Sequence, residues 1–333
     1  MIGVCPATSN LRKACLLTAF LFLLRTPALA QASGSSGTTF EEGEGQITFE
    51  AVTELVVLPL NVTDANGDFV SDLAVDNFRV YEDGRLQTIR LFEREDMPVT
   101  VGLIVDHSRS MEGKLSAVSA AVSSFAHSSN PEDEMFVVDF SDRVWPELFH
   151  GKTFTSNVKE LEGALMTVGA EGETALYDAV YEGLERVRTG HREKKALIIV
   201  SDGGDNASRH KYAEVLKLAH ESQAMIYSIG LVGESGEEER PRVLERLCKD
   251  TGGLAFFPRW LDTVTETSNR IARDLRQQYT IGYAPEKKVS SSEFRKVLVK
   301  VSAPGRGKLH VRTRPGYSVS GDKSSASISK GPA

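Results

Sequence analysis

Five short runs near the middle of the chain are apolar almost without a break: residues 99–105, 135–140, 196–200, 225–231 and 254–257. Runs of that length and composition fit strands buried on both faces, as in a parallel sheet covered by helices. Between them, apolar residues recur three and four apart over residues 114–128, 158–166, 176–188, 212–222, 242–249 and 261–277, the spacing of amphipathic helices. Strand and helix alternate, which predicts a doubly wound, mostly parallel α/β fold with right-handed crossovers over residues 98–277. A further short run at 144–149, close behind its neighbour, reads as an antiparallel edge strand.

The flanks carry a different pattern. Before the α/β segment, residues 54–63 form a strand-like run ended by the turn residues Asp64, Asn66 and Gly67, and runs at 78–81 and 88–92 flank a hairpin signal at Asp83-Gly84. After it, residues 279–283, 296–301 and 309–313 read as strands, the second alternating apolar and basic side chains. Neither flank offers more than about three strands, which is marginal for an independent core. The expectation is therefore that residues 47–97 and 278–317 pair into one small β-sandwich with the α/β domain inserted between them. The alternative is two separate minidomains, and contact between residues 56–62 and 297–301 decides between the two. Residues 31–46 and 318–333, rich in Gly, Ser and Thr, read as a flexible linker and a flexible tail.

Residues 1–30 stand apart. Arg12 and Lys13 precede an apolar run of about 11 residues, too short for the roughly 20 of a membrane span, and Ala28-Leu29-Ala30 reads as a cleavage site. This is the pattern of a signal peptide, and it implies a secreted or periplasmic chain with no transmembrane span after cleavage. Loss of Arg12, Lys13 and Arg25, with no acid, takes the net charge from −7 to about −10. So acidic a chain has no electrostatic footprint for nucleic acid. Cys5 and Cys15 leave with the signal, so Cys248 stands alone without an internal disulfide and reads as a small buried hydrophobe.

Candidate chemistry gathers at strand ends. Asp106-His107-Ser108-Arg109-Ser110 follows the first α/β strand, Thr174 opens the helix at 176, and Ser201-Asp202-Gly203 follows the strand at 196–200. Open α/β sheets bind ligands at the carboxyl ends of their strands. Asp106, Ser108, Ser110, Thr174 and Asp202 offer only oxygen, a donor set for a hard cation, Mg2+ in preference to Zn2+, with Mn2+ or Ca2+ as substitutes. Two carboxylates leave such an ion short of negative charge, so a protein partner presenting an Asp or Glu carboxylate can complete its shell.

In residue type, order and spacing, Asp106-x-Ser108-x-Ser110, Thr174 and Ser201-Asp202-Gly203 resemble the metal-ion-dependent adhesion site of von Willebrand factor A and integrin I domains, over roughly residues 98–277. The resemblance implies that the hydroxyls of Ser108, Ser110 and Thr174 touch the metal and that Asp106 and Asp202 act directly or through water. The flanks, with Asp76 to Gly84 and Gln278 to Pro285, resemble a bacterial subgroup of VWFA-related proteins frequent in acidobacterial genomes. One departure is Arg109, where such loops often carry Gly; pointing inward it would weaken metal affinity by repulsion, and pointing outward, the favoured reading, it would help attract an acidic partner. His107 reads either as an extra ligand or as a side chain turned from the site.

An exported, metal-dependent adhesion protein is the reading these features favour. A second makes the chain an envelope assembly scaffold whose β-sandwich carries the interface. A third, a metal-dependent phosphatase with Asp106 as nucleophile, meets Ser108 where a second acid is needed, and the chain shows no nucleophile elbow, P-loop or zinc-protease motif. An enzyme is therefore not expected. Of the scattered histidines, His127, His191 and His210 are expected on exposed helical or loop positions.

Overall fold

The computed structural model describes residues 55–94, 96–145, 152–165, 169–231, 240–285 and 294–318. The signal-peptide and linker assignments, and the tail beyond residue 318, lie outside the described residues. Three sheets form among the described residues.

The central sheet has six strands in the order β10-β9-β8-β5-β6-β7, where β5 is Val99–Asp106, β6 Glu134–Phe140, β7 Val144–Trp145, β8 Lys194–Ser201, β9 Met225–Gly230 and β10 Ala255–Phe256. All pairs are parallel except β6 with β7, so β7 is the antiparallel edge strand expected from residues 144–149. Every residue of β5 is buried, as its unbroken apolar run requires. Helices α1 (Leu115–Ser128), α2 (Val158–Leu165) and α6 (Val264–Arg276) form one packed group, and α3 (Leu176–Arg188), α4 (Tyr212–Ser222) and α5 (Pro241–Thr251) another. Their inward faces close one apolar core with the sheet. Because the five long-range strands run parallel, the turns after β5, β8 and β9 emerge on one rim.

The flanking segments make two antiparallel sheets. One has the order β13-β1-β11-β4 and the other β14-β12-β2-β3, with β1 at Val56–Thr63, β2 at Phe78–Glu82, β3 at Arg85–Gln87, β4 at Ile89–Glu93, β11 at Tyr279–Tyr283, β12 at Phe294–Val301, β13 at His310–Thr313 and β14 at Gly316–Ser318. Val56, Leu58, Leu60 and Val62 share a single core with Val297 and Val299, so the N- and C-terminal β segments fold together around the insertion.

Two details differ from the sequence reading. The hairpin at Asp83-Gly84, both with positive φ (46° and 81°), joins β2 to the three-residue β3, not to residues 88–92. The chain then passes to the other sheet, where β4 pairs with β11. β3 escapes notice because Leu86 points out and the buried residue is Gln87, the reverse of the usual pattern. β14 likewise extends through Ser318, which the sequence reading had placed in the tail.

A buried polar seam ties the α/β unit to the sandwich. The Asp274 carboxylate on α6 accepts from Tyr227 Oη at 2.7 Å and from the Arg312 guanidinium on β13. Arg312 also donates to Gly252 O at 2.7 Å and Asn61 Oδ1 at 2.9 Å, while Asn61 Nδ2 donates to Asp274 O at 2.8 Å. Every polar group in the seam is thereby satisfied in low dielectric.

Candidate metal site at the carboxyl ends of the strands

Asp106 ends β5 wholly buried. Its Oδ1 accepts from Ser108 N at 2.8 Å, which folds the chain back on itself, and its Oδ2 accepts from Ser201 Oγ at 2.6 Å. Ser201 in turn accepts from Gly203 N at 3.0 Å, so this hydroxyl, unremarked as a functional group in the sequence, orients Asp106 and shapes the next turn. Gly203 holds φ at +84°, and a Cβ there would sit 2.6 Å from Arg240 O; the turn admits no side chain.

Asp202 is also buried. Its Oδ1 accepts from Gly204 N at 3.2 Å, but its Oδ2 has no hydrogen-bond partner among the described residues. Burial pushes the Asp106 carboxyl above the ordinary range, hydrogen bonds from Ser108 and Ser201 pull against that, and the negative charge of Asp202 adds to the rise. Among the described residues no basic side chain pairs with either carboxylate.

Ser108 Oγ lies 3.1 Å from Ser110 Oγ. Although Ser108 precedes a 3-10 turn at Arg109–Met111, its side chain makes no capping bond there, so the hydroxyl is not spent on the backbone. Ser108 is buried and Ser110 exposed, which leads a row of oxygens from the interior to the surface.

Thr174 is nearly buried and reaches the same rim through its backbone. Arg109 N donates to Gly172 O at 3.3 Å and Glu171 N to His107 O at 2.9 Å, lacing the Thr174 loop to the Asp106 loop. Asn206 braces it from the other side: Thr174 N donates to Asn206 Oδ1 at 2.8 Å, and Asn206 N donates back to Thr174 O at 3.0 Å. The opening N–H groups of α3, which lack partners within the helix, go to Asp205 Oδ1 and Ser208 Oγ. Asn206 and Asp205 were not singled out for the site by sequence; their position just past Ser201-Asp202-Gly203 was the available signal.

Beside these residues, Arg109 is exposed, as an outward side chain requires. His107 is buried with Nε2 3.0 Å from Asp139 Oδ1, so it is engaged with β6. His127 and His191 are exposed, but His210 is not: it stacks on Tyr181 with ring centroids 3.9 Å apart and bonds Asp178 at 2.7 Å. That position depends on a loop meeting α3, which local sequence does not show. Cys248 is buried, and burial pushes its thiol up to about 12.

The donor chemistry fits a hard cation. Two buried carboxylates act on each other, one carboxylate oxygen has no partner among the described residues, and hydroxyls stand in the adjoining loops. Among the described residues no three His, Cys, Asp or Glu side chains gather, so a zinc-type cage has no counterpart here.

Residues 101–204 match the family model described as von Willebrand factor type A domain. No curated protein matches the sequence. Among solved structures, the chain is similar to a von Willebrand factor type A protein from Catenulispora acidiphila at 13% identity, over 82% of this chain and 76% of that one, with a TM-score of 0.49. It is also similar to the vWF domain of the type V pili tip protein Mfa5 from Porphyromonas gingivalis (12% identity, 54% of this chain, 95% of that one, TM-score 0.44). The PilB minor pilin from Streptococcus sanguinis is similar at 12% identity over 56% of this chain and 63% of that one, with a TM-score of 0.43. The matched residues 101–204 run from β5 to the turn after β8 and include all five side chains, so the likeness to a von Willebrand factor type A domain falls on the segment that builds the rim.

Proposed function

We propose that the rim holds one divalent cation, Mg2+ before Mn2+ or Ca2+, through Asp106, Ser108, Ser110, Thr174 and Asp202, and that the protein uses it to bind a partner's Asp or Glu carboxylate. The observation that carries the reading is the buried Oδ2 of Asp202, without a partner among the described residues, beside a second buried carboxylate with no basic side chain among those residues to neutralise the pair. A buried carboxylate left so is costly, and a cation removes the cost. When bound, the cation supplies positive charge for an incoming carboxylate. Asp106 and Ser201 hold the loop in shape, and the exposed Ser110 and Arg109 leave the rim open to a partner and favour a negatively charged one.

Binding is favoured over catalysis because, among the described residues, no base is set against a nucleophile at the rim; the nearby His107 is committed to Asp139. The N-terminal pattern of residues 1–30 would deliver the protein outside the cytoplasm, and no helix among the described residues is long and apolar enough to cross a membrane.

Calorimetry with Mg2+, Mn2+ and Ca2+ on the wild type and on Asp106→Ala tests the reading. One saturable site in the wild type and none in the variant is the expected result. No heat with any of the three ions would overturn the proposal, as would capture of an envelope partner that survives chelation.

A further inference from the structure

The outer face of the sheet β14-β12-β2-β3 breaks the pattern that shapes the rest of the sandwich. Along β12 the valines at 297 and 299 enter the core, and the alternate positions 294, 296, 298 and 300 point away from it as Phe, Lys, Leu and Lys. A solvent face would ordinarily be polar throughout. Instead Leu298 is 54% exposed, and the register places it opposite Tyr81 on β2, which lies opposite Leu86 on β3, also 54% exposed. An apolar row thus crosses three strands, with a lysine on either side of it on β12.

The row opens into a cleft of about 700 Å³ between this face and α4 and α5, with Leu216 and His220 on the opposite wall. That volume is ordinary for a ligand cleft. His220 packs on the Phe294 ring at 4.6 Å, and Lys300 sits 5.2 Å over the Tyr81 ring. The one carboxylate lining the cleft among the described residues, Asp250, is already taken by Tyr212 Oη at 2.9 Å and Arg246 at 3.6 Å. Lys296 and Lys300 are both exposed, and neither has an ion-pair partner among the described residues. On a chain with a net charge of −7, this cleft therefore presents cations and apolar surface together.

We infer that the cleft is a second binding site, for an extended acidic protein segment that carries an apolar side chain between two carboxylates. Side chains on one face of an extended segment recur every second residue, about 6.6–7 Å apart, and β12 spaces Lys296, Leu298 and Lys300 by the same rule. An acid-x-apolar-x-acid segment lying along the strand therefore sets a carboxylate near each lysine and its apolar group on Leu298 and Tyr81. The walls from α4 and α5 favour a chain entering a groove over a flat bilayer. The site is independent of the cation rim, and it gives the sandwich a recognition task of its own.

A fluorescein-labelled peptide of Glu-Ser-Leu-Ser-Glu repeats, titrated with the full mature chain and followed by fluorescence polarisation, tests the inference. Saturable binding is expected, equal in Mg2+ and in chelator and weaker at high salt. The double variant Lys296→Glu/Lys300→Glu should weaken it by about tenfold or more, and Leu298→Ser should weaken it with the salt dependence kept. All three positions are exposed, and unchanged circular dichroism confirms the fold of each variant. The inference is overturned if the peptide does not bind, if the charge-reversed variant binds as the wild type does, or if phosphatidylserine vesicles bind and the peptide does not.

Discussion

Replacing Asp202 by Asn should make the cation-free protein more stable and the cation-loaded protein less so. Asp106 and Asp202 are both buried, and each lacks a basic partner among the described residues. Two unit charges 4 Å apart at an effective dielectric near 20 repel by about 4 kcal/mol. The figure falls as separation grows and as Asp106, already pushed toward its neutral form by burial, takes up a proton. A relief on the order of 1–3 kcal/mol is left. Asn keeps the acceptor for Gly204 N and replaces an oxygen that has no partner among the described residues, so no hydrogen bond seen there is lost. For a domain of this size each kcal/mol moves Tm by about 2–4 °C, so Asp202→Asn in chelator should melt roughly 2–12 °C above the wild type. With Mg2+ at a thousandfold excess over Kd the wild type gains about 4.1 kcal/mol and the variant gains little, so the order of the two melting curves reverses. Scanning calorimetry on both proteins, with chelator and with Mg2+, reads all four values. Should the variant melt below the wild type in chelator, the carboxylate is a structural acceptor and the charge argument fails.

Three other outcomes follow from the same geometry. Arg312→Met strands the Asp274 carboxylate at the seam between α6 and the sandwich and should cost about 3–5 kcal/mol in urea unfolding, most of it restored by adding Asp274→Asn; a loss under about 1 kcal/mol would mean the pair is not what holds the seam. Burial raises the Asp133 carboxyl to about 6, against hydrogen bonds from Val99 N and Asn130 N. The native chain then holds that proton more tightly than the unfolded one, so the contribution of Asp133 to stability is full below about pH 4 and is lost as pH rises through about 6. A carboxyl carbon NMR titration with its midpoint near 4 would contradict this. Cys248, buried with its thiol pushed up to about 12, should resist a disulfide reagent in the native protein and react once urea is added; mass spectrometry showing the adduct on folded protein would place the thiol at the surface.

Much of the architecture could be read from local pattern, because burial on both faces leaves a signature in composition. The unbroken apolar runs of β5, β6, β8 and β9 and the helical spacing of α1, α3 and α4 needed no tertiary information. Failures fell where a residue's environment is set by something distant in sequence. β3 carries its buried side chain as Gln87 and its apolar one outward, and His210 is half-buried, stacked on Tyr181 from α3. Asn61 shows the same limit, since it is buried and bonded to Asp274, more than two hundred residues away.

For the candidate site the division is similar. Sequence determined which oxygens stand at the strand ends, because a parallel sheet sends the residues after each strand to one rim wherever the helices return the chain. Only the folded chain decided how they are used. Ser201 orients Asp106, Asn206 braces Thr174, His107 turns to Asp139, and Asp202 is left with an unsatisfied oxygen. Each of these is a contact between loops far apart along the chain, and local propensity carries no information about which loop will meet which. The same holds for the cleft beside β12: alternation marks one face of that strand as outward, and the packing of α4 and α5 against it makes the face a groove.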